Sequence, residues 1–208
     1  MNFSSSNIAG LVVAASFAAG LNVYATILTL GLLARAHWVI LPPGLEGLSQ
    51  SWVIAACAAL FAAEFFADKI PGVDLVWSAL HTFVRLPVAA LLAYRTASQL
   101  SPEMQLLAAV AGAGIALAAH GSKTAVRAVV TPSPEPLSNI GLSTAEDVTA
   151  VGLTWLATRH PWIAGGIAAG LTVVVVLMAR WLFRVLSKLW RSYFARTAHD
   201  LPPPSRGY

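Results

Sequence analysis

Apolar residues run through this chain in long stretches, and polar residues fall at their ends or four apart inside them. A helix needs about 20 apolar residues to cross a bilayer. On that measure the pattern predicts about six crossing helices, at 8–34, 51–67, 75–94, 104–127, 145–158 and 162–186. The fifth stretch is short for a full crossing and reads as tilted or partly re-entrant. The expected fold class is all-α, a polytopic helical membrane protein with one transmembrane domain over 1–186. A basic amphipathic tail follows over 187–208 and ends in the Pro-rich 201–208, expected to be disordered.

The polar positions inside that pattern carry the chemistry. Glu64 and Asp68 share a helix face four residues apart, Pro71-Gly72 breaks the helix, and Asp74 is placed to cap the next one. Asp74, Trp77, His81 and Arg85 then recur at helical spacing, so a polar stripe runs deep into an apolar helix. A second segment repeats the plan. His120, Lys123 and Arg127 end one helix, the proline-rich run 131–139 breaks the chain, and Ser143 with Glu146 and Asp147 reads as a capping box opening the next. Helix, polar end, proline break and acidic cap thus occur at 51–94 and again at 104–158, a repeat of architecture rather than of residues. Paired broken segments are a pointer to a transporter's binding site.

Composition sharpens this reading. Charged residues are 11% of the chain against about 25% in soluble domains, and mean hydropathy is +0.71. A charge near the bilayer centre costs about 2.5–3.5 kcal/mol, so these groups must pair or line a wet interior. Lys69, Arg85, Lys123 and Arg127, with Asn22 and Asn139, are the candidate ligands of a phosphate or carboxylate. Glu64, Asp68, Asp74, His81, His120, Glu146 and Asp147 are the candidates for proton or cation coupling, the histidines because they titrate near neutral pH. Asn22, Thr26 and Thr29, between Gly20 and Gly31, read as a small-residue face for helix packing, and so do Gly112, Gly114 and Gly121.

The net charge of +4 sits mostly in the tail, where Arg180, Arg184, Lys188 and Arg191 form one stripe suited to anionic headgroups. Membrane lipids are the expected partners, with a homodimer as a further one; nucleic acid is not expected. The single Cys57 falls mid-helix, so no disulfide or cysteine metal site forms, and no cofactor or metal is expected. Counting six spans puts both termini on one side, and the basic tail puts that side in the cytoplasm.

The run Glu64…Ala67-Asp68-Lys69-Ile70-Pro71-Gly72-Val73-Asp74…His81…Arg85 continues in Ser133-Pro-Glu-Pro-Leu-Ser-Asn139…Ser143…Glu146-Asp147. With Gly20-Leu-Asn-Val-Tyr-Ala-Thr26 and Gly31-Leu-Leu-Ala-Arg35, it resembles the bacterial integral membrane proteins of domain-of-unknown-function family 4126, over about residues 8–185. That likeness leads one to expect Pro directly after Arg85, whereas Leu86 precedes Pro87 here, which leaves the position of the break in the third helix open. The resemblance implies a multi-span helical protein of undefined activity and supplies no catalytic residues.

The leading expectation is a small transporter or lipid-translocating protein of the bacterial inner membrane, with a charged intramembrane site for an anionic solute or headgroup and proton coupling. An ion channel, an intramembrane enzyme acting on a lipid phosphate, and a structural scaffold are the alternatives. The chain lacks His-Glu-x-x-His, Gly-x-Ser-x-Gly and a phosphate-binding glycine loop, which weighs against the enzyme.

Overall fold

The computed structural model describes residues 4–70, 73–130 and 136–199, with side chains at all of these except 74, 75, 78, 79, 127–130, 136–139 and 189–199. Its elements are α1 (Ser5–Leu21), α2 (Val23–Arg35), a 3-10 turn (Pro43–Ser49), α3 (Ser51–Ala67), α4 (Val73–Thr96), α5 (Pro102–Val130), α6 (Pro136–Arg159) and α7 (Pro161–His199). The architecture is all-α, with no strand among the described residues. Helices α5, α6 and α7 each begin at a proline, whose missing N–H costs nothing in a first turn. By length and apolar content, Pro102–Val126 and Pro161–Lys188 can each cross a membrane. The 3-10 turn with α3, bent by 71°, makes a third candidate if counted as one span.

The stretch 8–34 is not a single helix. Asn22 takes an extended conformation (φ −150°, ψ 104°) between α1 and α2, its N–H bonded to Ala18 and its side-chain oxygen capping Ala25 N–H at 2.9 Å. A straight helix over 5–35 would hold its ends roughly 45 Å apart. Instead Asn7 and Leu11 line one cavity of about 160 Å³ together with Ile40, Leu41 and Arg159, and the five residues from Arg35 to Ile40 reach at most about 18 Å. The pair therefore folds back on itself, with Asn22 at its tip.

Helix α2 stops in a Schellman turn, in which Trp38 N–H bonds the Leu33 carbonyl and His37 N–H bonds that of Ala34, with His37 at φ 58°. The 3-10 turn then lies at the end of the bundle where α4 finishes, with Gly44 against the Arg95 carbonyl and Ser98. Helix α1 sits in the middle. Its Leu11, Ala14, Ala18 and Leu21 pack with Ala164 and Ala168 of α7 and with Ala150 and Leu153 of α6, while Ile8 and Val12 meet Ala93 and Ala97. Gly10 lies against Pro161 and Gly165, so α1 and α7 start at the same end and run in the same direction. Phe83, Leu106, Val110, Val173 and Phe183 point outward and exposed, an apolar exterior suited to lipid.

Several local expectations change. Pro87 lies inside a continuous α4 and does not break it. Helix α4 begins at Val73, so Asp74 is in its first turn rather than ahead of it. Helix α6 begins at Pro136, which leaves Ser143 two turns inside and not at a cap. Gly20 and Gly112 do meet close neighbours, at Ala116 and Ala119 and at Ala93 and Ser16, but Gly114 and Gly121 face open space.

Candidate functional site

The tip of the α1–α2 pair is where the charges gather. Asn22, Glu64, Asp68, Arg85, His120, Lys123, Glu146 and Asp147 are all buried there, with Asn22, Glu64 and Arg85 fully so. Helix α3 brings Glu64 and Asp68 one turn apart at its C-terminal end, and α4 brings Arg85 from its middle. Helix α5 supplies His120 and Lys123, and α6 supplies Glu146 and Asp147. Side chains from both proline-broken segments thus meet in one centre.

Lys123 is its hub. Its ammonium bonds Asp68 Oδ2 at 2.9 Å, lies 3.2 Å from Glu146 Oε2 and 3.7 Å from Glu64 Oε1, and donates to the Leu21 carbonyl at 3.3 Å. Leu21 is the last residue of α1, where unsatisfied carbonyls make the helix end electronegative. Arg85 pairs with Glu64 through Nη2 and donates from Nη1 to His120 Nδ1 at 2.8 Å. A guanidinium only donates, so His120 Nδ1 accepts, and its Nε2–H donates to Thr82 Oγ1 at 2.6 Å. Asn22 donates from Nδ2 to Asp147 Oδ1 at 2.9 Å, which ties α6 to the helix break.

The pairing is incomplete. Glu64 Oε2, Asp147 Oδ2, Arg85 Nε and the hydroxyl of Ser143 are buried with no hydrogen-bond partner among the described residues. A buried polar atom without a partner costs about 1–3 kcal/mol, so four of them on the helices around one centre make it a candidate place for a bound water or ligand.

Other expected site residues have contacts of their own. The Lys69 ammonium bonds the Phe65 carbonyl at 3.1 Å and lies 3.0 Å above the Phe65 ring, at the end of its own helix. His81 stacks on Trp77, meets Tyr24 edge-on and donates from Nδ1 to the Trp77 carbonyl at 2.9 Å. That assignment follows because a carbonyl only accepts, so Nδ1 bears a proton on His81 and none on His120. The side chains of Asp74, Arg127 and Asn139 lie outside those described. Thr26 and Thr29 return their hydroxyls to the carbonyls of Asn22 and Ala25. Residue-type reasoning missed Thr82 and the Leu21 carbonyl. A main-chain oxygen leaves no mark in composition, although Gly20-Leu21-Asn22 is a stop-and-cap signal that could have located it.

The family model for a domain of unknown function (DUF4126) matches residues 9–181 of the chain. The chain belongs to this family. That match takes in every element of the DUF4126 bundle from α1 into α7 and all eight residues of the charged centre. Comparison with curated proteins found no match, and comparison with solved structures found none either.

Proposed function

We propose that this DUF4126 protein is a small membrane transporter whose buried centre takes up and releases protons. The charge balance of that centre supports this reading. Among the described residues, the buried carboxylates are Glu64, Asp68, Glu146 and Asp147, and the buried permanent cations are Arg85 and Lys123. Four negative charges against two positive leave an excess of two negative charges if all ionise. A low-dielectric interior does not tolerate that excess, so protons or counter-cations must meet it. An anionic solute or headgroup reaches Arg85 or Lys123 only when the carboxylates covering them are protonated, and this couples anion entry to proton uptake.

A bacterial inner membrane suits a bundle of apolar helices. The parallel course of α1 and α7 supports a topology in which the α1–α2 pair enters and leaves on one side. The start of α1 then lies opposite the basic end of α7, rather than on the same side as an even count of passes would put it. Positive-inside weighting of Arg180, Arg184 and Lys188 places the α7 end in the cytoplasm.

Solid-supported-membrane electrophysiology on proteoliposomes tests the transport reading. A pH jump is expected to displace charge with the wild type and not with a folded Glu64→Gln/Asp68→Asn variant. Equal currents from both, or none from either across panels of anions and cations, would overturn it.

A further inference from the structure

The environment of the Lys123 ammonium consists of oxygens from three elements, the ends of α1 and α3 and the body of α6. Asp68 Oδ2, Glu146 Oε2, the Leu21 carbonyl and Glu64 Oε1 stand at 2.9, 3.2, 3.3 and 3.7 Å from Nζ. Carboxylates and the C-terminal carbonyls of broken helices are the groups that coordinate coupling cations in transporters. With Lys123 in place, no three acidic, histidine or cysteine side chains among the described residues are grouped around a metal ion, and Mg²⁺ or Ca²⁺ would need oxygens at about 2.0–2.6 Å. The wider spacing here is that of an ammonium ion, which has nearly the radius of potassium. Glu64 supplies the second observation. Its Oε1 touches both buried cations, while its Oε2, in a residue with no exposed surface, has no partner.

Building on the transport reading above, we infer that this oxygen cage is a binding site for a potassium-sized monovalent cation, for which the Lys123 ammonium is a tethered competitor. A free ion entering the cage displaces the ammonium on its flexible four-carbon stem. Asp147 is the anion best placed to receive it, since it adjoins Glu146 in sequence, is bonded to the residue after Leu21, and has a buried Oδ2 without a partner. The other titratable groups at the centre are His120, held by Arg85 on α5's neighbour α4, and His81 farther along α4. Neither donates an oxygen to the cage.

The test is equilibrium binding in detergent, which requires no transport. Lys123→Ala is melted in rising KCl, in parallel with NaCl, at ionic strength held constant with N-methyl-D-glucamine chloride. A tethered competitor acts at an effective concentration in the millimolar range. Its removal is therefore expected to tighten the apparent K⁺ affinity at least about tenfold over wild type, with K⁺ more effective than Na⁺. Adding Asp68→Asn to Lys123→Ala is expected to abolish the response. A Lys123→Ala protein that responds to K⁺ no more than to N-methyl-D-glucamine overturns the inference. So does one that folds in neither salt, because the cage then accepts no free ion in place of the ammonium. Loss of pH-jump currents with K⁺ binding intact would instead remove the transport reading and leave the site standing.

Discussion

Arg85 reaches from the middle of α4 to His120 on α5, Nη1 to Nδ1 at 2.8 Å, and so fixes which nitrogen of the imidazole bears the proton. Removing the acceptor leaves a fully buried guanidinium N–H unanswered. His120→Ala is expected to lose about 1–3 kcal/mol. His120→Asn, whose amide oxygen can stand in for Nδ1, should lose distinctly less. Denaturation in mixed micelles separates the two, and equal losses would mean that the contact contributes nothing.

The Arg85 pair with Glu64 is buried at both ends. Removing one partner of such a pair costs about 3–5 kcal/mol, because the other is left as an uncompensated charge. Arg85→Gln should therefore be strongly destabilised, and Arg85→Gln/Glu64→Gln should recover much of the loss. A double variant no more stable than the single one would show that Glu64 is balanced chiefly by Lys123.

Asn22 has two tasks, capping α2 and holding Asp147. Asn22→Ala should cost about 1 kcal/mol for the cap and a further loss for the contact with the carboxylate. Asn22→Asp keeps the cap but sets two acids face to face, so it should be worse than alanine, and Asp147→Asn should rescue it. The same denaturation assay reads all three variants.

Close packing of α1 on α7 depends on Gly10. A Cβ there would collide with the Pro161 carbonyl, and one on Gly165 would come 2.8 Å from the Gly10 Cα. Gly10→Val is expected to cost about 1–3 kcal/mol through overpacking. Gly170→Ala, where nothing lies within 4 Å, should be nearly silent. Comparable losses at the two positions would contradict the packing.

Ser5 at the start of α1 and Ser187 on α7 test the topology. The 26 residues between Pro161 and Ser187 span roughly 39 Å of helix, more than the roughly 30 Å bilayer core. In a Cys57→Ser background, Ser5→Cys and Ser187→Cys are expected to react with an impermeant maleimide from opposite sides of the membrane. Labelling from one side alone would restore the shared-side arrangement.

The sequence made much of this centre legible. Charges four apart at the ends of apolar runs can be satisfied only by one another, so Glu64, Asp68, Arg85, His120 and Lys123 could be nominated from spacing. What spacing could not give was the fold-back at Asn22. An asparagine in the middle of 27 apolar and small residues at 8–34 looks like a tolerated polar group in one helix, and only tertiary packing reveals it as a corner. Ser143 misled for the opposite reason. Its capping-box spacing with Glu146 is real, but Pro136 starts the helix two turns earlier, and the local signal was overridden. Lys69 adjoins Asp68 in sequence, and the Phe65 ring and carbonyl are among its contacts at the helix end.

Helix α1 emerges first during synthesis, and the helix running alongside it, α7, emerges last. Until α7 is made, Leu11, Ala14, Ala18 and the Gly10 notch have no wall on that side. The nascent chain must therefore hold its first hairpin, with Asn22 at the apex, in an unfinished groove while five further helices are threaded. The charged centre draws no side chain from α7, so it can assemble before α7 docks, and the flank of α1 at Gly10 is among the last surfaces to settle.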